Sequence, residues 1–134
     1  MVALSDTDLA HLRRCVELAR EGLEDGDETR HPELEVARWS ASHLTAGERA
    51  AATVYTSGEH CPMCAAAHGW MGLGRVVYAV SSAQLTAWRR EWGLPAGPVL
   101  PLPIQEVAPG VPVDGPAPEL EAEMRELHRR KAQG

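Results

Sequence analysis

The sequence predicts an α/β fold in which a mostly parallel sheet is flanked by helices. Three observations carry that expectation. At 134 residues the chain suits one packed domain over residues 1–134. Its 44% hydrophobic and 24% charged content is that of an ordinary globular protein. Short β-prone runs at residues 53–56, 75–80 and 99–104 alternate with helix-prone stretches, and strands separated by helices pair in parallel through crossovers.

Each element has its own signal. Ser5 is a good N-cap for a first helix, with Asp8 placed to complete a capping box and Leu4 and Leu9 at staple positions. Leu9, Leu12, Val16, Ala19 and Leu23 then repeat at helical spacing, the core face of an amphipathic helix. Cys15 falls beside that face and reads as a small buried hydrophobe. A polar turn over residues 24–33 leads to a second helix, residues 32–44. Pro32 suits its first turn, where a missing N–H costs nothing, and Leu34, Val36, Ala37 and Trp39 give it apolar surface.

The stretch TAGERAA leads into the first strand. A third helix, residues 62–71, stops at Gly72 and Gly74, and RVVYAV follows as a short buried strand. Residues 81–92 read as a helix with Leu85, Trp88 and Trp92 on one stripe. VLPLPI reads as a strand spotted with prolines, hence at an edge or a sheet end. A Pro/Gly-rich connector, residues 109–118, leads to a last helix over residues 119–131.

A formal net charge of −6 argues against a general nucleic-acid binder, whose footprint is basic. The one basic cluster, Arg129, Arg130 and Lys131, falls in the last helical turn. Cations there complement the helix dipole; a tRNA contact is the sharper alternative. No apolar run approaches the ~18 residues of a membrane span, and no basic region followed by an apolar stretch opens the chain. The expectation is a cytoplasmic protein, in which closely spaced cysteines serve as metal ligands or redox groups more often than as structural disulfides.

The stretch TSGEHCPMC holds such a pair, Cys61 and Cys64, at the start of the third helix. At i and i+3 they share a face and can grip one ion. The positive end of the helix dipole favours the thiolates that a metal needs. CxxC alone also fits a thioredoxin-like redox pair. A structural zinc knuckle needs a second ligand pair, and no second CxxC exists. The candidate third ligand is His31, which precedes Pro-Glu in HPE and is followed about 30 residues later by CPMC. One His and two Cys leave a fourth tetrahedral position open, the layout of a catalytic zinc. Glu33, two residues from His31, is placed to move protons without binding metal.

The pattern H-x-E followed by C-P-M-C, with GLGRVVYAV beyond it, resembles the zinc-dependent nucleobase deaminases, whose signature is H-x-E and P-C-x-x-C. That family includes cytidine and deoxycytidylate deaminases, guanine deaminases and tRNA adenosine deaminases. The resemblance covers roughly residues 31–104. It implies a three-layer, cytidine-deaminase-like fold, with His31, Cys61 and Cys64 as Zn2+ ligands and Glu33 as general acid/base. Zinc hydroxide would be the nucleophile and Glu33 the proton shuttle in removal of an amino group as ammonia. The substrate implied is a small nucleobase or nucleoside with a guanine- or cytosine-type ring, and the assembly implied is a homodimer. Where the family usually has Pro before the first Cys, this chain has His60. That residue reads as a substrate contact, as a support behind the ligands, or as a tolerated loop substitution. His68, Trp70 and Met71 read as packing or dimer surface.

The family pattern also has two antiparallel strands between the first helix and H-x-E. Here only residues 24–30 separate Leu23 from His31, too few for two strands of about five residues and their turns. The expectation is therefore a sheet of three strands, near Thr53, Val77 and Leu102, lacking the first β-hairpin, with a seam at Gly26, Asp27 and Glu28. One strand edge is left unpaired and the substrate pocket loses a wall. The alternative function that follows is a zinc-binding, deaminase-like protein without activity. The dithiol redox reading remains distinct from both, since it needs no metal.

Overall fold

A computed structural model of the chain describes residues 4–21 and 31–133. The elements run α1 (Asp6–Glu21), α2 (Pro32–His43), α3 (Ala46–Ala51), β1 (Val54–Gly58), α4 (Pro62–Trp70), β2 (Val76–Val80), α5 (Ser82–Glu91), α6 (Ile104–Val107), β3 (Val113–Asp114) and α7 (Glu121–Gln133), with a 3-10 turn at Pro118–Leu120 before α7. The expected seam at Gly26, Asp27 and Glu28 lies outside the described residues.

The sheet is parallel, in the order β1-β2-β3. Val54 stands opposite Val76 and Gly58 opposite Val80, while Val76 stands opposite Val113. The middle strand, VVYAV, is buried along its whole length, as a parallel strand covered on both faces must be. From Val76 to Ala79 its side chains alternate between two cores. Val77 and Ala79 meet Leu12 and Val16 of α1, Trp88 of α5, and Met124 and Leu127 of α7. Val76 and Tyr78 meet Ala65 of α4 and Ile104 of α6 on the other face. Helices therefore flank the sheet on both sides, and α2 packs outside α4.

Two expectations about the elements are corrected. Residues 99–104 form no strand: Val99 and Leu100 are exposed, and Ile104 instead opens α6. Pro98, Pro101 and Pro103 remove three backbone donors there, and a sheet ladder cannot form without them. The third strand lies inside the presumed connector, where Val76 N–H donates to the Pro112 carbonyl at 2.9 Å and the ladder continues to Asp114. Gly115 makes that path possible. Its φ is +124°, and a Cβ there would lie 2.3 Å from the Tyr78 carbonyl oxygen. The second correction is α3. Thr45 accepts from Glu48 N–H at 3.1 Å, while Glu48 accepts from Thr45 N–H at 2.8 Å. This capping box starts a helix where a simple lead-in to β1 was expected.

At the N-terminal end of the strands a polar network joins four elements. Ser5 and Asp8 cap α1 reciprocally, at 3.0 and 3.1 Å. Arg75, just before β2, donates to both Asp8 oxygens at 3.1 Å and to Asp114 Oδ2 at 2.7 Å. Tyr55 O–H donates to Asp8 Oδ1 at 2.8 Å. Arg75 above all holds the Asp8 carboxyl far below the usual carboxylate range. Asp8 is buried, and its charge is matched there by a bidentate guanidinium, the arrangement that buried charge requires.

Candidate metal centre

The C-terminal ends of β1 and β2 both run into helix starts, and this is the end of a parallel sheet where ligands bind. Two of the site's three donors sit at equivalent places. His31 is the N-cap of α2 and is followed by Pro32; Cys61 is the N-cap of α4 and is followed by Pro62. Neither side chain is used to cap its own helix, so both remain available to a third party. Cys64, in the first turn of α4, is fully buried. The two helix N-termini thus converge on the sulfurs and favour negative charge there.

His31 Nδ1 lies 3.4 Å from Cys61 Sγ and 3.4 Å from Cys64 Sγ, and the three donor atoms all lie within 4.8 Å of one another. Bonds of about 2.3 Å to sulfur and about 2.0 Å to nitrogen, at tetrahedral angles, give nitrogen–sulfur edges of about 3.6 Å. The trio fits a zinc site and can hold a metal ion. A nitrogen donor placed equally close to both sulfurs is a feature that a dithiol redox pair does not need. The two thiols also divide one proton unequally. Cys61 is pushed down because Cys64 donates a hydrogen bond to it, and Cys64 is pushed up because it keeps that proton.

Glu33 stands outside the trio but lines, with His31 and Cys61, a cavity of about 630 Å³. Burial pushes its carboxyl above the usual range, so it holds a proton more readily than a surface glutamate does. Tyr55, Thr56 and Ser57 of β1 line one side of this cavity, with Leu18 of α1 and His128 and Lys131 of α7 elsewhere on its wall. Burial also pushes His128 down to about 4, so its ring is neutral at pH 7. Cys15, read from the sequence as a core residue, is half-buried at the cavity wall. A larger groove of about 800 Å³, between α3, α4 and residues 107–112, carries one titratable lining residue, Arg75. The chemistry is concentrated in the smaller cavity.

His60 does not line the cavity. It is 1% exposed, and its ring meets the buried ring of His68 edge-on at 5.2 Å between centroids. Neither of its nitrogens has a hydrogen-bond partner among the described residues. Burial pushes it down to about 4, and the ring is neutral. His68 packs as expected, its Nε2–H donating to the Gly74 carbonyl at 2.7 Å, whereas Trp70 is 85% exposed. Sequence reasoning did not single out Glu59, which lines the metal cavity and is bonded at both oxygens; only its adjacency to His60-Cys61 pointed that way.

The fold and site together define a class: an α/β protein with a His-Cys-Cys centre at the carboxyl ends of its parallel strands, and an acid outside the ligand trio. No family model matches the chain, and no curated protein does. No described helix is long and apolar enough to cross a membrane.

Proposed function

We propose that the chain is a zinc-dependent hydrolytic deaminase of the cytidine-deaminase-like kind, acting on an amino-bearing nucleobase or nucleoside ring. The observation that carries this reading is the separation of roles at one cavity. Three donors form a trio that leaves a tetrahedral position open, and a proton-holding acid lies beside them and outside the trio. A zinc ion held by His31, Cys61 and Cys64 would take water in that open position and supply its Lewis-acid activation. Glu33 would take the first proton of the water and deliver it to a ring nitrogen, then take the second from the newly added hydroxyl and pass it to the departing amine, leaving a ring carbonyl. The balance is one C–N bond broken, one C–O bond formed, and ammonia released. A cavity of about 630 Å³ suits a small heterocycle with or without its sugar.

The test is ammonia release by zinc-loaded protein over guanine, cytosine, adenine, their nucleosides and deoxycytidylate. Glu33→Gln is expected to lower release by about 10²–10⁴-fold while one zinc per chain remains bound. A second reading, a zinc protein without turnover, is favoured by the three-stranded sheet among the described residues. Zinc-replete, folded protein that releases no ammonia from any of these compounds establishes that reading and removes the first.

A further inference from the structure

The strand that delivers Cys61 continues into residues whose bonding is unusually complete. Glu59 N–H donates to the Val80 carbonyl at 2.9 Å, extending the contact between β1 and β2 past Gly58. Its Oε1 accepts from Ser82 N–H at 2.9 Å, and its Oε2 accepts from Ile104 N–H at 2.7 Å. Ser82 and Ile104 are the first residues of α5 and α6. Their N–H groups belong to the first helical turn, which has no acceptor within its own helix. α6 has Pro103 at its N-cap and no side-chain cap of its own. One carboxylate therefore bonds the first N–H of two successive helices, 23 and 45 residues further along the chain, and does so two residues before a candidate metal donor.

We propose that Glu59 is a positioning residue of the metal centre. It fixes the loop between β1 and Cys61 at three points, on the sheet and on two helix starts. Cys61 Sγ is thereby held 3.4 Å from His31 Nδ1 before any ion arrives. With both oxygens engaged, Glu59 is distinct from Glu33, although both line the cavity. Groups that orient ligands govern affinity by removing the cost of arranging the site, and their loss weakens metal binding by about 10–100-fold. This inference rests on the metal reading of His31, Cys61 and Cys64, and not on the deamination reaction.

The experiment is competition for zinc between the protein and a chromophoric chelator, with the Co2+ absorption spectrum as a second readout. It is run where circular dichroism shows each metal-free chain fully folded. Glu59→Ala is expected to bind zinc about 10–100-fold more weakly than the parent and to change the cobalt–thiolate bands. Glu59→Gln keeps one acceptor and falls between them; it carries the test if the alanine variant does not fold. Asp8→Asn, remote from the site, is the control for loss of stability alone. Zinc affinity within about twofold of the parent, with unchanged cobalt bands, overturns the inference and leaves the metal reading standing. A loss matched by Asp8→Asn overturns it too. A parent chain that binds no zinc overturns both.

Discussion

The two ends of the parallel strands carry polar clusters of similar size and opposite character. At the N-terminal end, Asp8, Tyr55, Arg75 and Asp114 satisfy one another, and the buried carboxyl is held strongly ionised. At the C-terminal end, His31, Cys61 and Cys64 aim three donors at one point, and burial resists the charge of Glu33. The first cluster is complete without anything added. The second leaves three donors in a geometry that a cation can complete. Satisfied buried polar groups stabilise a fold, and groups at odds with their surroundings mark sites. The difference separates scaffold from function within one sheet.

The largest effect expected from breaking this contrast is at the incomplete end. His31→Ala removes a ligand outright and is expected to weaken zinc binding by more than about a hundredfold, beyond what outer groups contribute. Equilibrium competition with a chelator measures it. At the complete end, Asp8→Asn is expected to cost about 1.5–3 kcal/mol in a denaturant titration, the range for hydrogen bonds to charged groups, and to leave zinc affinity unchanged.

The smallest effect sharpens the comparison most, because its sign reverses. The folded pKa of Asp8 is depressed. Its contribution is present above the unfolded value of about 3.9 and is lost as pH falls through the folded value. The parent therefore loses stability on acidification, and Asp8→Asn flattens that slope. The folded pKa of Glu33 is raised, so its ionisation at neutral pH costs stability, and the cost is relieved as pH falls. Glu33→Gln is expected to stabilise the metal-free chain at pH 7 by about 0.5–1 kcal/mol, read as a higher thermal midpoint. The same carboxyl-to-amide change lowers stability at one end of the strands and raises it at the other.

Local signals were legible in the sequence wherever one short stretch carries them. Ser5 and Asp8 cap α1, Pro32 and Pro62 open α2 and α4, and RVVYAV supplies the buried strand. The His31, Cys61 and Cys64 trio was legible because HPE and CPMC are short local patterns of metal-ligating residue types, and the fold brings the three together. What depends on distant partners was not. The run at residues 99–104 has the composition of a strand, but Pro101 and Pro103 have no N–H to give a ladder, while Val113–Asp114 pairs because β2 lies beside it. The α3 capping box, Thr45 and Glu48, was present in the letters and passed over. The Arg75 network and the bonds of Glu59 join elements 23 to 67 residues apart, and no local pattern encodes them.

The contact between His31 and Cys61 bridges 30 residues. In the unfolded chain, bringing together the ends of such a loop costs about 3 kcal/mol of entropy. An ion gripping both residues acts as a cross-link of the same reach as a disulfide, without oxidation and reversible by a chelator. Such an ion would tie α2, which packs on α4, more firmly to the sheet. Metal supply would then set the effective length of the free chain, and with it how readily α2 detaches.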